Sequence, residues 1–144
     1  MNLRPIALFL SVVGMTLSQA ATADACGVPE PQDTITRHFD ALNSHDRARV
    51  LAQWNQGAPV VTLGAPTLIE PIERVATRWV QAKESTTFHV DKLEEGENTA
   101  TAYVTVTAGG KTFSDTILLT STHGAWRIAG ITVARVKAAS PYGS

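Results

Sequence analysis

Between Thr86 and Val136 the chain reads as one antiparallel meander, and no other stretch limits the possible folds so tightly. The run TATAYVTVT (99–107) leads to Gly109-Gly110, KTFSDTILLT (111–120) follows, and AWRIAGITVARV (125–136) comes after a turn through Thr122-His123-Gly124. β-Branched and aromatic residues alternate with polar ones in each run, with glycines between them, as in hairpins of a half-buried sheet. Strands are expected over 86–94, 99–108, 111–121 and 125–137. A sheet with one apolar face needs a covering layer.

The upstream segment offers that layer. After Asp33, placed as an N-cap or first-turn acid, Ile35, Phe39 and Leu42 recur at helical spacing and should face the core, with His38 at the edge of that face. Asp46 should cap a second, shorter helix whose apolar side is Val50, Leu51 and Trp54. Residues 60–63 suit a short strand ended by Gly64-Ala65-Pro66. Pro71 fits the first position of a further helix, where Ile72, Val75, Ala76, Trp79 and Val80 keep the helical period. Glu70, Glu73, Arg74, Arg78 and Gln81 take its other side.

The first 25 residues carry a different message. Arg4 precedes an apolar run of about a dozen residues, and small residues follow to Ala25, the pattern of a secretory signal peptide. The run is shorter than the roughly 20 residues a membrane span needs. Cleavage after Ala23 or Ala25 is expected, which places the protein in the periplasm or outside the cell. Residues 26–32 then form a Pro/Gly lead-in, 33–137 one domain, and 138–144 a fraying tail. Cleavage after Ala23 removes Arg4 and no acid, so the net charge moves from −1 to −2. With no basic stripe, nucleic acid and anionic membranes are poor partners. Cys26 is the single cysteine, so no intramolecular disulfide can form. Its place just after the signal allows a lipid anchor as a minor alternative, which Asp24 and the absence of a large aliphatic at Ala23 oppose.

Helix, helix, short strand, helix and four long strands is the order of the nuclear transport factor 2-like superfamily, and two motifs resemble it. HFDALNSHD (38–46) resembles its first-helix signature, and KTFSDTILL with HGAWRI (111–128) resembles its final hairpin. The similarity covers roughly 31–137. It implies an α+β fold: a cone-shaped α+β barrel, three N-terminal helices packed on a curved, mostly antiparallel sheet, with a pocket at one end. Members include ketosteroid isomerases, polyketide cyclases, dehydratases and exported proteins, and a lumazine-binding-like group has the most similar final hairpin. Dimers are frequent among them. Fold alone does not carry function.

An isomerase of this superfamily needs a carboxylate base, a hydroxyl donor and a protonated acid. A gapless match puts Thr62 at the base position, His38 at the tyrosine and Thr116, beside Asp115, at the acid. Threonine cannot take a proton from carbon at neutral pH. Asp115 stands out because strand parity puts it on the apolar face with Phe113, Ile117 and Leu119. It is expected either to pair structurally, with Arg127 or a donor on the helices, or to serve as a polar handle in the pocket beside His38. Trp54, Trp79 and Trp126 are core fillers that could also line a cavity.

His45, His89 and His123 fall in a turn, on the solvent face and in a hairpin loop, so the four histidines form no metal set. No cofactor motif, nucleophile elbow or phosphate loop is present, and no cofactor is expected. The expected function is binding of a small apolar or aromatic molecule without catalysis, through His38, Trp54, Trp79, Phe113, Asp115 and Trp126. The competing expectations are a cyclase, dehydratase or isomerase using a His38/Asp115 dyad, and a dimerising scaffold presenting Thr101, Tyr103, Thr105 and Thr107.

Overall fold

The computed structural model describes residues 28–136. The signal segment, Cys26 and the tail after 137 lie outside them. The described chain runs α1 (Pro31–Asn43), α2 (Arg47–Leu51), β1 (Pro59–Thr62), β2 (Leu68–Pro71), α3 (Ile72–Gln81), β3 (Thr86–Glu95), β4 (Thr99–Ala108), β5 (Lys111–Thr122) and β6 (Ala125–Arg135). Three helices pack on one face of a curved, unclosed six-stranded sheet of order β2-β1-β6-β5-β4-β3, with β1 parallel to β6 and the other pairs antiparallel.

The meander strands match the expected ones to within two residues at each end. Period-two patterning carried this: on β4, Ala100, Ala102, Val104 and Val106 are buried, while the threonines and Tyr103 between them are at least partly open. Two irregularities interrupt the ladder. Asp91 is an extra residue between Val90 and Lys92 on β3, and Ala129 is one on β6 opposite the Leu118–Leu119 step. Such bulges bend a strand and raise its twist, so the sheet can curl toward the helices.

Strand β2 was not expected. Leu68 and Ile69 lie between Pro66 and Pro71 and are too few to show a period. They form an edge strand, where a proline is tolerated because its missing N–H faces no neighbour. Pro71 is accordingly the residue before α3 rather than its first helical residue. The helix α1 starts at Pro31, two residues ahead of expectation, and Asp33 stands in its first turn, accepting from the Glu30 backbone N–H at 3.3 Å. Asp46 caps α2 as expected, with its carboxylate accepting from Arg49 N at 3.1 Å.

The core lies between the helices and the inner sheet face. Ile35, Phe39, Val50, Ile72, Val75 and Ala76 meet Val60, Ala102, Val104, Ile117, Leu119, Ile128 and Ile131 there, all buried. Two polar clamps hold α1 across the sheet. At one end Thr34 Oγ1 donates to the Trp126 carbonyl at 3.0 Å. At the other, the Asn43 amide pairs with the Thr86 backbone in both directions: Nδ2 donates to O at 2.8 Å and Thr86 N donates to Oδ1 at 2.7 Å. The asparagine of the Ala-Leu-Asn motif therefore acts as one more rung of the β3 edge.

Replacing Asn43 by Ala should remove both bonds and lower the unfolding free energy by about 1–2 kcal/mol. Thermal unfolding followed by circular dichroism would show it, and an unchanged midpoint would refute the clamp.

Candidate functional site

A cavity of about 320 Å³ opens beside α1. Its rim is drawn from one end of the sheet and the end of α3: Thr62, Thr86, Ala108, Phe113 and Val133 with Arg78, Ala82 and Glu84. Within lie His38, Phe39, Leu42, Val75, Trp79, Val106, Asp115 and Ile131. The lining is mainly aliphatic and aromatic. Phe39 stacks on Phe88 with ring centres 4.5 Å apart and planes 13° from parallel, which steadies one wall.

His38 is 1% exposed. Its position on the inner face of α1 sets it among Phe39, Trp54 and Trp79, with ring centres 4.8, 5.5 and 5.9 Å away, all edge-on. The Trp54 indole N–H donates to His38 Nδ1 at 3.1 Å. An indole nitrogen can only donate, so Nδ1 must carry a lone pair and the ring hydrogen sits on Nε2. Burial drives the His38 pKa down to about 3, so the ring is neutral at physiological pH. It can act only as a hydrogen-bond donor, through Nε2–H, since its one basic lone pair is already engaged. That argues against His38 as a general base.

Asp115 sits on β5 opposite Val104 of β4 and Val133 of β6. It is 6% exposed, and its Oδ1 has no hydrogen-bond partner among the described residues. Strand parity placed it on the inner face; the pairing expected with Arg127 is not made. Arg127 is exposed and its guanidinium reaches the Ala52 carbonyl at 3.4 Å instead. Removal from water, with no nearby cation to offset it, raises the Asp115 pKa to about 7. A carboxyl that changes charge near neutrality inside a cavity is a candidate functional group.

Of the six residues singled out from sequence as ligand contacts, His38, Trp79, Phe113 and Asp115 line this one cavity. Trp54 stands behind His38 as its hydrogen-bond partner and is buried in the core, outside the lining. Trp126 also lies outside the lining: it packs at the far end of α1, near Thr34. Thr62, at the isomerase base position by the gapless match, does line the cavity, whereas Thr116 lies on the opposite strand face from Asp115. Sequence reasoning passed over Arg78 and Glu84 at the rim. Arg78 belongs to the polar side of α3, and there its guanidinium makes a two-pronged pair with Glu70 at 2.8 and 3.0 Å. Glu84 had no signal at all, being one polar residue in a loop. Among the described residues no group of three or more His, Cys, Asp or Glu side chains could hold a metal, and no helix is long and apolar enough to cross a membrane.

The two buried groups have opposite linkage signs. The unfolded His38 gains a proton below about 6.5 while the folded one stays neutral, so its contribution to stability is lost as pH falls through that value. Folded Asp115 holds its proton up to about 7, against an ordinary value of 3.8, so its cost grows as pH rises from 3.8 to 7. Replacing Asp115 by Asn removes only the second effect. The variant should gain more melting temperature over the parent near pH 8 than near pH 5 by scanning fluorimetry. An equal difference at both pH values would contradict a buried, unpaired carboxyl.

A family model described as "Putative lumazine-binding" matches residues 30–132. Solved structures share the fold. They include an NTF2-like protein of unknown function from Silicibacter pomeroyi (TM-score 0.67, 15% identity, covering 73% of this chain and 92% of that one). A second such protein, from Methylobacillus flagellatus, gives 0.65 at 15% identity over 74% and 89%. A ketosteroid isomerase-like protein from Erwinia carotovora atroseptica gives 0.57 at 14% identity over 75% and 95%. No curated protein matches the chain significantly in sequence. The chain belongs to the lumazine-binding-like family and shares the fold of the nuclear transport factor 2-like proteins.

Proposed function

We propose that this member of the lumazine-binding-like family holds a small apolar or aromatic molecule in the cavity beside α1, outside the cytoplasm and without chemistry of its own. One observation carries this: a mostly apolar cavity into which a neutral histidine and an unpaired carboxyl both face. Few polar groups in an otherwise apolar recess are the usual make-up of a ligand site, with the polar ones setting orientation. The family description points the same way. Export rests on the residues before 26, whose order of Arg4, apolar run and small residues is that of a signal peptide.

A second reading is favoured by Asp115 alone. A carboxyl with a pKa of about 7 has the proton affinity a general base or acid needs. In that version the dyad expected from sequence divides its work differently, with Asp115 moving the proton and His38 Nε2–H donating to the substrate. A third reading, a homodimer, draws on the outer sheet face. Tyr103, Thr116, Thr132, Val61 and Ile69 form one cross-strand row there, with Leu118 beside it. Ile69, Leu118 and Tyr103 are 70%, 49% and 38% exposed.

Native mass spectrometry of protein recovered from the periplasm of its source should show a co-purifying small molecule. Ala108→Trp, which narrows the rim, should lose it. A ligand-free parent would count against binding. With the molecule in hand, His38→Ala and Asp115→Asn should weaken its affinity only in part, whereas abolished turnover would favour the enzyme. Sedimentation at micromolar concentration should give a dimer; a monomer would remove the third reading. Cell fractionation should find the protein shortened by 23 or 25 residues, in the periplasm or medium, and a full-length cytoplasmic product would refute export.

A further inference from the structure

The cavity's charges do not balance. Its lining holds four charged or titratable groups: His38 from α1, Arg78 from α3, Glu84 from the loop before β3, and Asp115 from β5. The walls contributed by β1, β4 and β6 hold none, offering Thr62, Val106, Ala108, Ile131 and Val133. His38 is neutral because its Nδ1 is occupied and its surroundings are dry. Arg78 is neutralised by the two-pronged bond to Glu70. What remains is Glu84 at the rim and Asp115 within, two acids without an opposing cation among the described residues. Asp115 Oδ1 accepts nothing from any of those residues.

We infer that the occupant supplies the missing positive charge: the cavity is built for a protonated amine carried on a compact apolar or aromatic body, with the ammonium on Asp115. This deepens the small-molecule reading above and rests on it. Three features converge. A buried carboxylate is tolerable when a cation shares its site, and an ammonium brings charge and hydrogen-bond donors together. Phe39, Trp79 and Phe113 line the same space, and aromatic rings favour a desolvated cation over an anion. Glu84 adds a negative field at the entrance, which draws cations in and turns carboxylates away. Binding an ammonium also demands the ionised carboxyl, so an amine must displace the Asp115 proton wherever that proton is bound.

The test uses three probes of one shape: 2-phenylethylamine, 2-phenylethanol and 3-phenylpropionate. Trp79 lines the cavity, so tryptophan fluorescence reads occupancy, with calorimetry as the check. Near pH 8 the amine should bind at least about tenfold more tightly than the alcohol, and the carboxylate more weakly than either. Below pH 7 the amine's affinity should fall by about tenfold per unit while the alcohol's stays level. Asp115→Asn should erase both the preference and the pH dependence, and Glu84→Gln should lower the amine's association rate and its salt sensitivity. The pH profile of the parent protein keeps the test decisive if the Asn variant fails to fold.

Equal binding of alcohol and amine, or an amine preference that survives Asp115→Asn, overturns the inference and leaves the cavity as a neutral-ligand site. Alcohol affinity that rises as pH falls also overturns it, because the protonated carboxyl would then be the recognising form. Failure of all three probes to bind overturns the inference, while the small-molecule reading stands or falls separately on the co-purifying molecule.

Discussion

Everything in the site depends on where α1 is held. The helix crosses the inner face of the sheet, touching β6 toward one side and β3 toward the other, and each end is tied by a polar clamp to a strand backbone. Hydrophobic burial of Ile35 and Phe39 supplies most of the attraction, but it is non-directional. The hydrogen bonds from Thr34 and from Asn43 choose the angle and the gap. Because the sheet curls and stays unclosed, a straight helix cannot fill its hollow, and the uncovered part is the cavity.

That placement explains the chemistry of His38. A histidine on the inner stripe of a pinned helix has no water to turn to, so its protonation follows from its neighbours. The Trp54 indole settles the tautomer by offering a donor that only a lone pair can accept. The result is a neutral, oriented N–H. Asp115 is the complement: an acceptor in the same dry space, held by the β5 ladder, with an oxygen that nothing among the described residues satisfies. A fold selected for stability alone would gain from replacing it with an apolar residue. Its place on the apolar face is what the ammonium-binding role proposed above would use.

Much of this was legible beforehand. Period-two alternation found the four meander strands, the helical period found α1 and α3, and parity on one strand found Asp115. The misses share a physical cause. Strand β2 is too short to show a period, and its proline at the edge imitates the start of a helix. Trp126 and Trp79 look alike as aromatic residues in amphipathic elements, yet one packs at the far end of α1 and the other at the cavity. Arg127 and Asp115 are twelve residues apart on adjacent strands, near enough in sequence to suggest a pair. The register instead sets Arg127 opposite Thr120, on the outer side.

From its residues alone this chain determined which segments are strand or helix and which side of each is apolar. Those properties are local: backbone preference and the period of side-chain direction act within a few residues. Tertiary structure decided which of the inward-facing residues share a space. It left Asp115 Oδ1 without a partner among the described residues, engaged the histidine's basic nitrogen, and let Glu70 claim Arg78. Each of these is set by packing distances of a few ångströms between segments far apart in the chain, and burial and charge respond to that distance rather than to sequence order.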